Sequence, residues 1–388
     1  MALSFFVFLT FALFSLSLVA RTTTTTVGVT FSSATSATHT KPLSPEQIAS
    51  TVKSLGFGSV RLEVSDPAMV RAFLYSNTTL LLTIPNHQVP VIAANRSNAV
   101  RWLYVNVVPF FPRAKITTIS VGNDLLESTP SFSSFLIPAI RNIHLALRDL
   151  GIRKISVSTT FSFINAVTTS FPPSSAVFQE PALEIVIRPL LQFLRDTNSS
   201  FLVNIYPYNL YRLHGEIPIG YALFQEHPFN FRDDLTTGVR YRNLFDMMVD
   251  AVVSAMAVAG HENIPVVVTE TGWPSSSADP TEVEANAAYA EMYIKGLVKH
   301  LKSGIGTPLR KEGVSEAYVY ELFDKEVKTG ATPHGRSWGI LYPNMTNKYE
   351  IEFSGSYRNY QGRNSLELIV GLFLVFALFH GFLVFPLL

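Results

Sequence analysis

The chain has 388 residues, of which 47% are hydrophobic and only 15% charged, with thirty basic side chains against twenty-nine acidic ones. That apolar content excludes a disordered chain and suffices for one large core, and a formal charge of +1 gives no global field toward nucleic acid or anionic lipid. Cysteine is absent, which excludes disulfides, thiolate metal sites and a cysteine nucleophile.

Residues 1–20 are an apolar run closing on Leu18-Val19-Ala20, the layout of a signal peptide cleaved near Ala20, although no positive residue precedes it. A leading membrane anchor is the alternative. Strand-like runs then follow at 26–31, 59–62, 79–84, 117–121, 155–160, 201–206, 265–270 and 316–323. Helical periods lie between them at 44–55, 98–108, 135–150, 181–196, 244–259 and 282–301. Eight strands with helical crossovers predict an α/β protein with a single (β/α)8 barrel over residues 21–353. In the fifth of those helices Met247, Met248 and Met256 share a face with Leu244, Ala251 and Val252, a stripe that reads as core packing.

Past the barrel, Ser354-Gly355-Ser356, a polar spacer at 357–367 and an apolar run at 368–388 repeat the layout of a glycosylphosphatidylinositol attachment signal. Ser354, Gly355 and Ser356 are the candidate lipid attachment residues, and an uncleaved tail anchor is the alternative reading. Asn77, Asn95, Asn198 and Asn344 head N-glycosylation sequons, which export would make usable. These features predict the secretory pathway and the outer face of the plasma membrane.

Two strands end on a carboxylate. Val266-Val267-Val268-Thr269-Glu270 breaks into Gly272-Trp273-Pro274, and Thr117-Thr118-Ile119-Ser120-Val121 breaks into Gly122-Asn123-Asp124. Glycoside cleavage needs such a pair, one carboxyl to protonate the leaving oxygen and one to attack the anomeric carbon or activate water. A strand-end glutamate capping the next turn is the plainer alternative. Asn204-Ile205-Tyr206-Pro207-Tyr208 ends the sixth strand with an amide and two phenol rings, groups that bond to and stack on a sugar, or that simply make a rigid proline turn. The histidines form no metal pattern, and no phosphate loop or dinucleotide fingerprint occurs, so no cofactor or metal is expected.

Ile84-Pro85-Asn86, Val121-Gly122-Asn123, Val157-Ser158-Thr159, Asn204 to Tyr208, Asn243-Leu244-Phe245-Asp246, Thr269 to Pro274 and Gly306-Thr307-Pro308 stand in the order seen in plant β-1,3-glucanases. The chain thus resembles glycoside hydrolase family 17, from about Val27 to about Phe353. The resemblance implies a (β/α)8 barrel, a retaining mechanism with Glu270 as nucleophile and Asp124 at the acid position, and a β-1,3-glucan substrate. It also implies Asn123, Asn204, Tyr206, Tyr208 and Trp273 around that substrate, and a plant cell surface and wall. A monomer with no nucleic-acid partner is expected.

The acid end departs from the pattern. The family has glutamate where this chain has Asp124, which draws the carboxyl back by about 1.5 Å, one carbon-carbon bond. Misplacement on the order of 1 Å can cost about a hundredfold in rate. Lys325 takes the place of an acid, with Glu326 displaced by one and Lys328 kept, and Pro333-His334-Gly335-Arg336 replaces a run containing a supporting glutamate. Glu63 and Val64 replace an aromatic and an aspartate on the second strand, and Phe31 replaces a tyrosine on the first. Reduced turnover is expected, with Asp124 kept as the donor and Glu127 only as the less favoured alternative. A glucan-binding wall protein and a glucan transferase are the rival readings.

Overall fold

The computed structural model describes residues 25–32, 43–324 and 335–353. The expected signal peptide, the attachment residues Ser354, Gly355 and Ser356, the apolar tail, and Lys325, Glu326, Lys328, Pro333 and His334 lie outside the described residues.

Eight parallel strands close on themselves in chain order: β1 (Thr26–Phe31), β2 (Ser59–Leu62), β3 (Thr79–Ile84), β4 (Lys115–Asn123), β5 (Ser156–Ser162), β6 (Phe201–Asn204), β7 (Val266–Thr271) and β8 (Glu316–Val319). β8 returns to β1 in the register Thr26 to Glu316 through Val29 to Val319, so no edge strand remains. The expected (β/α)8 barrel is therefore the fold. Leu81, Leu202, Val267 and Tyr318 form a separate apolar cluster apart from the main core. Gly28 makes room for it, because a Cβ there would collide with Ser59 Oγ and with the Tyr318 ring.

Polar caps set where the outer helices begin. Ser44 and Gln47 form a reciprocal capping box at α1 (Pro45–Ser54), and Asn95 caps α2 (Arg96–Asn106). The long α3 (Ser133–Asp149) buries Leu136, Ile140, Ile143 and Leu147 along one stripe. The helix expected at 181–196 opens as a π turn, Leu183–Ile187, before α4 (Arg188–Thr197). Pro189 has no N–H to give the carbonyl four residues back, so the ladder is interrupted there. The short α5 (Pro207–Leu213) follows β6, and two further helices, α6 (Leu244–Val258) and α7 (Ala287–Ser303), begin at the caps Asn243 and Asn286. The helix α7 starts five residues later than the periodicity predicts, at the Asn286 cap, and Glu282 in the turn before it is taken up in a part-buried ion pair with Arg336.

The methionine stripe of α6 is buried as expected, but so is nearly the whole helix, Asp246 and Asp250 included. The turn Pro173–Ser175 and an antiparallel pair, Arg232–Asp234 with Val239–Tyr241, are joined where Ser174 N donates to Asp234 Oδ2 at 2.9 Å. The buried acids are satisfied by His300 Nε2, 2.8 Å from Asp246 Oδ1, and by Thr307 Oγ1 and Leu309 N donating to Asp250. Among the described residues no helix is long and apolar enough to cross a membrane. All four sequon asparagines are exposed, Asn95 as a helix cap and Asn198 in the left-handed conformation that ends α4.

Candidate active site

The polar cluster forms where β2, β4, β6 and β7 end or face the barrel interior. β7 is buried along its whole length and delivers Glu270 at its carboxyl end. β4 ends at Asn123, and Asp124 turns the chain with φ 47° and ψ 39°, a left-handed step that aspartate tolerates better than most side chains. Asn86, at the end of β3, fixes this turn: its amide nitrogen donates to Asn123 O and its amide oxygen accepts from Asn123 N, both at 2.8 Å. Gly122, at φ +81°, lies just before it, where a Cβ would come within 3.0 Å of Asn86 Oδ1.

Glu270 is surrounded by donors. Arg61 Nη1 from β2 and Asn123 Nδ2, at 3.3 Å, both bond to Oε1, while the Tyr206 hydroxyl donates to Oε2 at 2.5 Å. Asn204, at the end of β6, reaches across with its amide nitrogen to Asp124 Oδ2 at 3.0 Å and to Asn123 Oδ1 at 3.1 Å. Its own oxygen accepts from Thr269 Oγ1 at 2.8 Å, which fixes the amide orientation. The two carboxylates that the sequence placed at separate strand ends thus belong to one hydrogen-bonded network. Residues 37–353 match the family model for glycosyl hydrolases family 17.

This chain belongs to glycosyl hydrolases family 17.

It is 37% identical over 316 residues to glucan endo-1,3-beta-glucosidase 3 of Arabidopsis thaliana, covering 81% of this chain and 62% of that one. Against glucan endo-1,3-beta-glucosidase 2 of the same plant it is 38% identical, covering 80% of this chain and 61% of the other. The chain therefore spans less than two thirds of the length of these relatives. Among solved structures it is similar to CJP38, a beta-1,3-glucanase and allergen of Cryptomeria japonica pollen, with a TM-score of 0.77 and 34% identity over 85% of this chain and 99% of that one. One of two plant beta-glucan endohydrolases with distinct substrate specificities superposes with a TM-score of 0.74 and 30% identity over 84% of this chain and all of its own.

Burial dominates the electrostatics of this family 17 site. Burial, and then the Glu270 carboxylate beside it, push Asp124 up to about 7, against the opposing hydrogen bond from Asn204 and the charge of Arg61. Asp124 Oδ1 is buried with no hydrogen-bond partner among the described residues, so a proton there has no internal acceptor. Burial opposes the charge on Arg61, but the adjoining Glu270 outweighs it and the guanidinium stays ionised. Tyr206 is pushed upward by burial and then by Glu270, which keeps its hydroxyl a donor.

Of the residues expected around a substrate, Asn123, Asn204 and Tyr206 join the carboxyls, and Tyr208 and Trp273 do not. Both are buried, Tyr208 at 0% and Trp273 at 1% exposure, with the rings packed edge to face at 4.9 Å. The polar atom of each is taken up inside: the Tyr208 hydroxyl donates to Glu282 Oε2 at 3.0 Å, and Trp273 Nε1 donates to Glu284 O at 2.8 Å. They support the wall from behind. The half-buried aromatic cluster is instead Tyr206, Tyr320 and Trp338, with ring centroids 5.0 Å apart for Tyr206 and Trp338 and 6.1 Å for Tyr320 and Trp338. Glu127 is exposed and bonded to Asn165; it lines a small pocket with Asp124 and its charge adds to the upward push on that group.

Sequence reasoning passed over Arg61, Asn86 and Thr269 as site residues. The signal for Arg61 was a cation set between Val60 and Leu62 in a strand buried at every position. No group of acidic, histidine or cysteine side chains among the described residues is arranged to hold a metal.

Proposed function

We propose that the chain is a retaining endohydrolase of β-1,3-glucan that acts at the plant cell surface as a lipid-anchored monomer. The observation that carries the reading is the division of labour between two carboxyls in one network, with Asp124 held protonated up to about 7 and Glu270 ion-paired to Arg61. Glu270 attacks the anomeric carbon as Asp124 gives its proton to the leaving glycosidic oxygen. Asp124 then takes a proton from water, which displaces Glu270 from the glycosyl enzyme. Asn123 is placed for the sugar hydroxyl next to the reacting carbon. Tyr206, Tyr320 and Trp338 offer ring faces to neighbouring glucose units.

A second reading, a glucan-binding protein with little turnover, is favoured by the short Asp124 side chain, whose Oδ2 is drawn onto Asn204 at 3.0 Å. One experiment separates the two. Hydrolysis and binding of β-1,3-glucan are measured together for the parent protein, Glu270→Gln and Asp124→Glu. Parent turnover that Glu270→Gln abolishes while glucan binding is kept supports the hydrolase; binding without parent turnover, with turnover restored by Asp124→Glu, supports the binder; neither binding nor turnover in the parent discards both. Lipid anchoring is supported by the order of small residues, spacer and apolar run at 354–388. Release from intact cells by a phosphatidylinositol-specific phospholipase is the expected result, and retention of the protein on susceptible cells rejects it.

A further inference from the structure

One sizeable cavity holds none of the catalytic cluster. It measures about 760 Å³ and opens between the start of α6, the end of α7, the antiparallel pair beside them and the loop that leads from α7 into β8. Its size is that of a pocket for a small oligomer. Four fixed cations line it, Arg240, Arg242, Lys299 and Lys311, against two carboxylates, Glu226 and Asp246, in a chain whose whole surplus is a single charge.

These cations are not equally committed. Arg240 is forked onto Asp233 through two bonds of 2.7 Å and lies 3.9 Å over the Phe231 ring. Lys299 is 3.2 Å from Glu226, a pair that is open to solvent on both sides. Arg242 and Lys311 are exposed; the charge of Arg242 is shared with Arg240 toward Asp233, and Lys311 has no carboxylate paired with it among the described residues. The acid inside, Asp246, is already engaged by His300 at 2.8 Å and by Asn243 Nδ2 at 2.8 Å. The pocket therefore presents uncompensated positive charge at its rim. Between the cations the lining mixes apolar side chains, Phe224, Pro228, Ile305 and Pro308, with the polar Asn230 and Ser303.

We infer that this cavity is a second, non-catalytic carbohydrate site that takes an acidic oligosaccharide, a chain of uronic acid units. Carboxylates spaced along such a chain meet Arg242 and Lys311, and the pyranose faces lie on the proline and phenylalanine surfaces. A neutral glucan has no charge to offer these cations, so the two sites are selective for different polymers. Arginine and lysine at an open rim set salt-dependent recognition. The arrangement lets the protein hold one acidic wall polymer while the barrel mouth stays free for another.

The test uses the full-length protein and fluorescently labelled oligogalacturonate, with binding followed by anisotropy at low and at high salt. Binding is expected at low salt, weakened about tenfold or more in the Arg242→Glu, Lys311→Glu double variant. It is expected to survive excess β-1,3-glucan oligomer and the Glu270→Gln change, and to vanish for the fully methyl-esterified oligosaccharide. An unchanged thermal unfolding midpoint in the double variant separates lost binding from lost fold. Absent binding, binding equal in parent and double variant, or competition by the neutral glucan each overturns the inference. So does binding of phosphatidylserine vesicles, but not oligogalacturonate, that the double variant loses, which assigns the patch to a lipid surface.

Discussion

Arg61 and Glu270 form an ion pair inside the barrel in which the guanidinium is wholly enclosed and the carboxylate is 7% exposed. Arg61 Nε and Nη2 have no hydrogen-bond partner among the described residues, so Glu270 is the main compensation for a cation that burial would otherwise exclude. Removing one member of a buried pair costs about 3–5 kcal/mol, most of it the penalty of the charge left behind. Glu270→Gln is therefore expected to lower stability as well as activity, and Arg61→Met added to it to recover part of the loss. Denaturant unfolding of the two single variants and the double variant measures this coupling. Strictly additive losses would show that the pair is not the unit described.

Tyr206 acts on the same carboxylate from the other side. Its hydroxyl is 2.5 Å from Glu270 Oε2, while its ring rests against Trp338 and Tyr320 with centroids 5.0 and 5.8 Å away. Tyr206→Phe keeps the ring contacts and removes only the donor. A hydrogen bond to a charged group contributes about 1.5–3 kcal/mol, which corresponds to about a ten- to hundredfold loss in kcat if it holds the nucleophile in its attacking geometry. The unfolding midpoint should fall as well, because the same bond satisfies a buried carboxylate in the resting protein. A kcat equal to the parent's would remove Tyr206 from the nucleophile's support.

How far the site could be read from the chain follows from which contacts are local. β7 and β4 each advertise their carboxyl, because an apolar β-branched run must stop where glycine and a polar group follow. The barrel itself was legible from eight such runs with helical periods between them. The inward turn of Tyr208 and Trp273 was not legible, because their motifs give residue type but not the direction of the ring. That direction is decided by Glu282 and by Glu284 O, each more than ten residues downstream of the ring it holds. Arg61 was hidden for a similar reason: the carboxylate it pairs with, Glu270, is 209 residues away in sequence. The ion pair in the turn before α7 depends on Arg336, which no local pattern around Glu282 announces.

Proton occupancy of Asp124 sets the pH response of the proposed hydrolysis. Burial and the Glu270 carboxylate push this group up to about 7, and the acid form is the donor, so kcat should fall as pH rises through that value. The Asn204 amide donates to Asp124 Oδ2 at 3.0 Å, a bond that favours the ionised form. Deleting it in Asn204→Ala takes away stabilisation of the charged state and should move the alkaline limb to higher pH. Rate profiles of parent and variant on the same glucan measure the shift. Movement of the limb toward acid would contradict the role given to Asn204.

Asp250 makes the same argument for stability, at a distance from the chemistry. It is 0% exposed on α6, and burial pushes it up to about 7, even though Thr307 Oγ1 and Leu309 N both donate to it. In the unfolded chain an aspartate releases its proton near pH 3.9. Between the two values the folded protein holds a proton that the unfolded chain has lost, so stability must fall as pH rises through this window and level off above it. At 1.36 kcal/mol for each unit between the two values, the full effect is up to about 4 kcal/mol. Asp124 tilts the profile in the same direction. In Asp250→Asn the amide oxygen can accept from Leu309 N while the amide nitrogen donates to Thr307 Oγ1, so the contacts persist without a titrating group. The variant should therefore gain on the parent as pH rises, and be the more stable of the two at about pH 8 but not at about pH 4. Urea midpoints at both ends measure the difference, and parallel profiles would mean that Asp250 is ionised throughout.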